Sequence, residues 1–234
     1  MFGIPIQKEE RPLNYDFSLG YVIGVLVGDG SLSKWKDYHY FDGKNKQVPK
    51  AKATKIVPRF RHGFQLTVKD QDFAETFAQH LSRTTGKKVT MYPIQLKPVT
   101  NIAGNVLRKP YVFHGFKVKS ISKEWYCRLK PLKEDLSWIK ESFVEVKRGF
   151  LRGLFDSEGG YGSWGAVNLT NTNVPLLCLA KGLLSDFNIS STIYSNQKMP
   201  RLRIPKNNSF YFLDAIGFSI ERKNKKIREL LESA

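Results

Sequence analysis

Two segments of the chain carry a small residue at every fourth position and then end in an acidic residue. They are LGYVIGVLVGDGSL, residues 19–32, and RGFLRGLFDSEGGY, residues 148–161. The small residues are Gly20, Gly24 and Gly28 in the first segment and Gly149, Gly153 and Ser157 in the second. Glycine inside a helix costs about 1 kcal/mol relative to alanine, so a glycine stripe needs a structural reason. Small residues let two helix backbones approach closely, and the stripes therefore predict two helices packed along these faces.

The two acidic residues, Asp29 and Glu158, occupy equivalent positions in the two segments. If the helices run parallel, both carboxylates come to one place, where they repel each other and the negative helix C-termini. A divalent cation with oxygen ligands removes this conflict and supports phosphodiester hydrolysis, and Mg²⁺ suits such ligands. We therefore expect Asp29 and Glu158 to bind Mg²⁺, with Gly28 and Ser157 beside them. Mn²⁺ or Ca²⁺ is expected to substitute for Mg²⁺ in binding.

The similarity between the two segments continues along the chain. After each motif helix we expect two strands, a helix, two further strands and a second helix. Asp70 and Asn173 are the expected N-caps of the first of these helices, and Gly30 and Gly159 are expected to end the motif helices in a left-handed conformation. The paired stretches are 64–81 with 167–184, 87–96 with 190–197, and 113–129 with 201–218.

Each half therefore has the order αββαββα, which predicts an α+β fold of two pseudo-symmetric halves. The expected halves are residues 1–135 and 136–234. Residues 130–143 are expected to form a bridge, as a loop with a short helical piece.

The net charge of +17 favours a polyanionic partner, most often nucleic acid. The two cysteines lie far apart, which excludes a disulfide framework or a CxxC metal knuckle, and the four histidines lack the spacing of a zinc site. The N-terminus has no signal-peptide pattern, and the apolar run at 19–28 is too short to cross a membrane. We therefore expect a soluble, intracellular protein without membrane contact.

VIGVLVGDG, residues 22–30, and LRGLFDSEG, residues 151–159, resemble the two motifs of a single-chain LAGLIDADG homing endonuclease of the archaeal, intron-encoded type. The resemblance implies motif helices at the interface of the two halves and two antiparallel sheets that form a saddle on double-stranded DNA. It implies a monomer whose motif acids, Asp29 and Glu158, cut both strands and leave 3′ overhangs. Asp156, two residues before Glu158, is expected to be a helix-end or interface residue.

The same resemblance implies basic residues beside the cut phosphates. Lys119 and Lys69 are similar to such positions and are the expected catalytic lysines. Their counterparts in the second half fall at about Pro205 and Thr172, so the pattern is asymmetric, and Lys206 is a candidate for the missing position.

DNA contact is expected from an insertion in the first half and from the strands of both halves. The offset between the halves falls from 129 residues at the motifs to 103 at the next strand, so the first half holds 26 extra residues, within 34–63. We expect this insertion to be a basic loop that follows the phosphate backbone. Its nine cations are Lys34, Lys36, Lys44, Lys46, Lys50, Lys52, Lys55, Arg59 and Arg61.

The strand residues expected to contact DNA are polar or basic and alternate with apolar residues, and the first half is the more basic, which predicts an asymmetric target. They are Gln65, Thr67, Lys69 and Lys117 in the first half and Asn168, Thr170, Thr172, Arg201, Arg203 and Lys206 in the second, with Arg108 in a hairpin loop.

Two alternatives remain open at this stage. An RNA maturase on the same scaffold would bind intron RNA and assist splicing, with or without DNA cleavage. A basic RNA-binding protein of ribosomal type would explain the charge but not the paired acidic motifs. The C-terminal segment 220–234 is expected to be a packing helix with a solvated basic face.

Overall fold

Two parallel helices from different halves of the chain pack together at the centre of the molecule. The computed structural model describes residues 13–96, 99–102, 105–195 and 199–233, and their side chains except at 99–102, 105–111 and 163. The central helices are α1, Phe17–Val27, and α4, Val144–Glu158. Asp16 caps α1 by accepting a hydrogen bond from the Leu19 backbone N–H at 3.0 Å.

The first half builds a four-stranded antiparallel sheet in the order β1-β2-β6-β3. A separate hairpin, β4–β5, is inserted between β3 and β6. The elements after α1 are β1 (Ser31–Phe41), β2 (Lys55–Val68), α2 (Gln71–Thr85), β3 (Thr90–Gln95), β4 (Val99–Ile102), β5 (Asn105–Tyr111), β6 (His114–Ile121) and α3 (Lys123–Glu134).

The second half repeats this arrangement with shorter strands, in the sheet order β7-β8-β10-β9. Its elements after α4 are β7 (Gly159–Tyr161), β8 (Val167–Thr170), α5 (Val174–Ser185), β9 (Thr192–Tyr194), β10 (Arg201–Ile204), α6 (Lys206–Ala215) and α7 (Glu221–Glu232). The αββαββα order of both halves is confirmed. The predicted change from one half to the other at residue 135 falls between α3 and α4.

One face of each sheet packs on helices and the other face is polar. In β2 the buried side chains are Phe64, Leu66 and Val68, and in β8 they are Val167 and Leu169. The residues between them point the other way because successive strand residues alternate between the two faces. This alternation produces one polar face in each half. Among the described residues, no helix is both long and apolar enough to cross a membrane.

The glycine stripes lie at the contact between α1 and α4. A Cβ atom at Gly20 would collide with the Val146 carbonyl oxygen, and one at Gly24 with that of Phe150. In return, a Cβ at Gly149 would collide with the Phe17 carbonyl and one at Gly153 with the Tyr21 carbonyl. Each glycine therefore directs a Cα hydrogen at a backbone oxygen of the opposite helix, a contact that only glycine permits. The predicted close, parallel packing of the two helices is confirmed.

The two glycines that follow the acids serve close packing rather than a left-handed turn, so the expectation of left-handed ends is wrong. Gly159 has φ −89°, and Gly30 is absent from the positive-φ residues of the described chain. A Cβ at Gly30 would fall 2.9 Å from the Val25 carbonyl oxygen. Small size is needed there because the chain turns back against the end of α1.

The insertion at 34–63 is a long β-ribbon rather than a loop. β1 and β2 pair without a break from Ser31 with Gln65 to Phe41 with Lys55, so only residues 42–54 form the connection. The expected loop is wrong because the strands on either side of the insertion continue outward past the helices that cover the rest of the sheet.

The two expected N-caps behave differently. Asn173 caps α5 by accepting a hydrogen bond from the Leu176 backbone N–H at 3.2 Å, as predicted. Asp70 precedes α2, but its side chain makes no capping hydrogen bond and instead accepts a two-pronged ion pair from Arg222 of α7.

The glycine contacts lead to a stability prediction. Gly24→Ala should lower the free energy of unfolding by about 3 kcal/mol or more, because the new methyl group has to push two helix backbones apart. Gly182→Ala is the matched control, since Gly182 lies within α5 with open space around its Cβ position, and it should raise stability by about 0.5–1 kcal/mol. Urea denaturation of the two variants checks this. Equal stability of the two would contradict the helix contact.

Candidate metal centre and nucleic-acid interface

The two motif acids lie at adjacent helix ends. Glu158 is the last residue of α4, and Asp29 lies two residues beyond the end of α1. A Cβ at Gly28 would fall 2.8 Å from Ser157 Oγ and 3.3 Å from Glu158 Cγ, so the two helix ends are in contact. The small residue at the end of each stripe therefore brings the two acid-bearing helix ends into contact, and the charge of Asp29 acts on Glu158.

The electrostatics of the pair are unfavourable without a cation. Burial raises the pKa of Asp29 above its ordinary value. Burial also raises the pKa of Glu158, and the nearby charge of Asp29 raises it further. The ends of α1 and α4 add the negative poles of two helix dipoles. A positive charge that binds between these carboxylates would offset all of these terms.

The donor set fits a hard divalent cation. Two carboxylates and the backbone oxygens of two helix ends are the kind of oxygen ligands that Mg²⁺ and Ca²⁺ take, with water for the remaining positions. Within the described residues, no group of three or more His, Cys, Asp or Glu side chains is placed to hold a metal ion.

Asp156 is a buried interface residue, as expected. It accepts hydrogen bonds from the Tyr21 hydroxyl of α1 at 2.7 Å and from the Ser219 backbone N–H at 2.8 Å. Burial raises the pKa of Asp156 to about 6, while these hydrogen bonds act in the opposite direction. The carboxylate thus joins the two halves below the acid pair and is directed away from solvent.

Lys223 is a basic residue of the site that the sequence analysis missed. Its ammonium donates hydrogen bonds to the carbonyl oxygens of Asp156, at 2.9 Å, and Gly159, at 2.7 Å. Its positive charge lowers the pKa of Asp29, against the larger effect of burial. The prediction that the basic face of the C-terminal helix is solvated is therefore wrong at Lys223, which is only 8% exposed.

A cavity of about 290 Å³ opens beside Asp29. Lys69, one of the two predicted catalytic lysines, lines it together with Thr67 and Lys223. Lys119, the other predicted lysine, lies on β6 opposite Gln65 of β2. It shares the polar face of the sheet with Thr67, which lies two residues beyond Gln65 in β2.

The polar faces of the two sheets carry matching rows of side chains. In the first half, Gln65, Lys119 and Thr90 lie side by side across β2, β6 and β3. In the second half, the same row across β8, β10 and β9 contains Asn168, Arg203 and Thr192.

This register corrects the expected counterpart of Lys119. It is Arg203, two residues before the predicted Pro205, because Arg203 pairs with Asn168 just as Lys119 pairs with Gln65. The basic pattern is therefore symmetric here, and Lys206, the first residue of α6, is not needed to complete it.

A second row lies next to the first. Thr67, Lys117 and Tyr92 form it in the first half. The second half matches it with Thr170, Arg201 and Tyr194. Both tyrosines are about two-fifths exposed, at 42% and 40%. They are not among the residues predicted from the sequence, although the short matching patterns TMY at 90–92 and TIY at 192–194 signal the equivalence.

The cations of the ribbon are divided between its two faces. Arg59 and Arg61 share the face of Gln65 and Thr67, and Arg61 forms an ion pair with Asp37 there. Lys34 and Lys36 lie on the opposite face. Lys34 pairs across the ribbon with His62, whose ring contacts Tyr126 of α3 at 4.9 Å.

The remaining predicted DNA contacts lie away from the two rows. Lys44, Lys46, Lys50 and Lys52 lie in the connection between β1 and β2, and Lys55 begins β2. Thr172 follows the end of β8. Arg108 lies in β5 rather than in a hairpin loop, and its side chain falls outside the described part of the structure.

Comparison with known proteins identifies the architecture. The family model for the LAGLIDADG-like domain matches residues 145–217. An uncharacterized protein of Methanocaldococcus jannaschii is 28% identical over 233 residues, which cover 92% of this chain and 72% of the relative.

Two solved structures extend the comparison. The homing endonuclease I-DmoI, in complex with DNA and Ca, aligns with a TM-score of 0.59 at 16% identity and covers 92% of this chain and 99% of that chain. Full-length DUF199/WhiA from Thermatoga maritima aligns with a TM-score of 0.52 at 18% identity, over 96% of this chain and 63% of that chain.

The chain thus has the two-halved LAGLIDADG fold, which confirms the fold that the resemblance in the sequence implied. Its second half is a LAGLIDADG-like domain, and the chain as a whole has the architecture of the single-chain I-DmoI.

The repulsion between the motif acids leads to a second prediction. In metal-free buffer at pH 7.5, Asp29→Asn combined with Glu158→Gln should raise the free energy of unfolding by about 1 kcal/mol. Folding raises the pKa values of both carboxyl groups, so their ionisation lowers the stability of the wild-type protein as the pH rises. Below about pH 4 both groups are protonated in the folded and the unfolded chain, and the extra stability of the double variant should vanish there. Thermal and urea denaturation with EDTA at both pH values measure it. The exposed Glu141→Gln is the control; an equal gain in that variant would refute a local origin.

Proposed function

We propose that this chain is a site-specific DNA endonuclease that depends on a divalent metal and cuts both strands of double-stranded DNA as a monomer, leaving 3′ overhangs. The observation that carries the proposal is the meeting of Asp29 and Glu158 at the joined ends of α1 and α4. Each half of the chain contributes one acid to this point, so one polypeptide presents two equivalent carboxylates to the two strands of a duplex.

The metal would be held by Asp29 and Glu158 together with backbone oxygens at Gly28 and Ser157. A divalent cation such as Mg²⁺ activates water and stabilises charge on the attacking and leaving oxygens of a phosphodiester. Crystal structures of I-DmoI contain DNA with Mn or with Ca, which supports the same class of cation here. The chain's own part is to hold two carboxylates in fixed positions at the joined ends of two helices.

Basic residues would position the phosphates on either side of the acids. Lys119 and Arg203 occupy equivalent places in the two sheets, and Lys69 lines the cavity beside Asp29. A fixed cation near each phosphate favours the charge that develops during displacement. We assign Lys119 and Arg203 to the two strands as a pair and keep Lys69 as a further candidate in the first half.

DNA recognition would use the two polar rows of each sheet. Amide, hydroxyl and guanidinium groups there are suited to base edges in a major groove, and the lysines to phosphates. The strands of the first sheet are 6 to 14 residues long and those of the second are 3 or 4. The first half would therefore follow a longer stretch of duplex, in keeping with a long, asymmetric target.

Cleavage of a selected target is the direct test. A library of random duplexes incubated with the protein and Mg²⁺, followed by sequencing of the cut ends, should return one long consensus with 3′ overhangs. Plasmid carrying the intron-less version of the host gene should be converted to a discrete linear product. Binding of intron RNA without any DNA product would instead support the maturase alternative.

The role of the acid pair leads to a third prediction. Asp29→Asn should slow cleavage by more than about 100-fold while DNA affinity in Ca²⁺ stays within a few-fold of wild type, because replacing even an outer-shell residue of a metal site costs 10–100-fold. Single-turnover cleavage and fluorescence anisotropy measure the two quantities. Glu141→Gln serves as the control. Loss of DNA binding in parallel with cleavage would contradict a role in chemistry.

The division of the basic residues between two faces leads to a fourth prediction. Lys117→Ala should weaken DNA binding and reduce the slope of log Kd against log salt by about 1, as expected when one phosphate contact is lost. Lys34→Ala removes the same charge from the helix-side face and should leave the slope unchanged. Titrations at four salt concentrations distinguish them. A larger loss for Lys34→Ala would place the DNA on the other side of the ribbon.

A further inference from the structure

The C-terminal helix α7 reaches the acid pair through one buried lysine. Lys223 lies in the first turn of α7, and its ammonium bonds to the Asp156 and Gly159 carbonyl oxygens. These two residues flank Glu158 in the chain, so Lys223 holds the backbone on both sides of a motif acid. α7 lies beyond the αββαββα repeat and has no counterpart at the end of the first half, where α3 leads into the segment before α4.

The two carbonyls belong to the end of α4, where the last turn of a helix leaves its oxygens without intrahelical partners. A cation at this end is favourable because it offsets the negative pole of the helix dipole. α4 has no basic residue of its own in its last turn. Lys223 therefore supplies from a distant segment the charge that a helix usually carries in its own sequence.

Burial of an ammonium requires compensation, and the surroundings of Lys223 provide it. Besides its two carbonyl partners, its charge faces Asp156, Asp70 and Asp29, while Arg222 opposes it. Lys223 also lies 5.0 Å from the centre of the Phe218 ring. Charge and hydrogen bonding thus hold this lysine against the end of α4, facing Asp156 and Asp29 rather than solvent.

The start of α7 is fixed to both halves of the chain. Arg222 donates to Asp70 from Nε and from Nη2, the latter at 2.8 Å, and the Glu221 backbone N–H donates to Asp72 at 2.7 Å. Both aspartates belong to the start of α2 in the first half, whereas Lys223 binds the end of α4 in the second. The position of Lys223 is therefore determined by the contact between halves.

We propose that Lys223 is a positioning residue for the acid pair: it fixes the backbone around Glu158 and acts as a built-in counter-charge of Asp29 in the metal-free protein. α7 would thereby couple the docking of the two halves to the geometry of the carboxylates. The inference deepens the proposed function and rests on it for its catalytic part. Its electrostatic part concerns the folded protein alone and is testable without DNA.

A double-mutant cycle tests the electrostatic part in EDTA at pH 7.5. Lys223→Met is introduced into the wild-type chain and into the Asp29→Asn, Glu158→Gln chain, and the melting temperature is measured for all four proteins. A lysine that only caps carbonyls would cause the same loss in both backgrounds. A counter-charge should cause at least twice the loss of Tm when both carboxylates are present. Equal losses would overturn the proposal.

Two further variants make the cycle decisive. Lys225→Met, an exposed lysine of the same helix, should change Tm equally in both backgrounds. If Lys223→Met fails to fold, Lys223→Gln keeps a hydrogen-bond donor without the charge, and the same comparison of backgrounds applies. A larger loss for Lys225→Met than for the Lys223 variants would overturn the proposal.

Cleavage tests the catalytic part. Lys223→Met should lower the single-turnover rate at saturating Mg²⁺ at least tenfold and change Kd for DNA less than twofold, whereas Lys225→Met should leave the rate unchanged. An unchanged rate in Lys223→Met would overturn the catalytic role. If the wild-type chain cuts no DNA at all, the proposed function fails, while the cycle in EDTA still decides whether Lys223 is the counter-charge.

Discussion

Contact between glycine Cα atoms and backbone carbonyls joins α1 to α4, and the placement of the two motif acids depends on it. A side chain at Gly20, Gly24, Gly149 or Gly153 would meet backbone rather than a movable side-chain end, so the close approach cannot be recovered by repacking. Because the contact is parallel and in register, it also brings Asp29 and Glu158 to the same level. Helix packing and placement of the acids are thus one event.

The same packing creates an electrostatic cost that the fold offsets elsewhere. Burial and mutual repulsion disfavour the two ionised carboxylates, and the ends of two helix dipoles add to this. Beneath them, Asp156 and Tyr21 bind each other across the interface, and Lys223 brings a positive charge to the end of α4. Stability lost at a site and recovered by its surroundings is the usual sign that the arrangement serves a function.

Sequence reasoning succeeded where local patterns repeat and failed where contacts depend on tertiary structure. Glycines four residues apart and alternating strands predicted α1, α4 and the αββαββα order. An offset counted through connections of different length puts the counterpart of Lys119 two residues too late, whereas strand register identifies Arg203. Lys223 carries no local signal, since its partners lie 67 and 64 residues away. The sequence predicts a loop where the ribbon lies because the outer part of the ribbon has no buried face to mark an alternation.

The two rows on each sheet constrain how an asymmetric duplex would be read. Cation, threonine and tyrosine recur at equivalent places in both halves, so the part of a target nearest the acid pair would meet similar chemistry on either side. Differences between the halves begin farther out, where β1 and β2 continue past the first sheet and no strand of the described second half does the same. In the proposed reaction, symmetry would be needed at the centre, where both strands would undergo the same cleavage, and asymmetry would be tolerated at the ends. The pseudo-twofold arrangement of the fold is strictest where the proposed chemistry would require it.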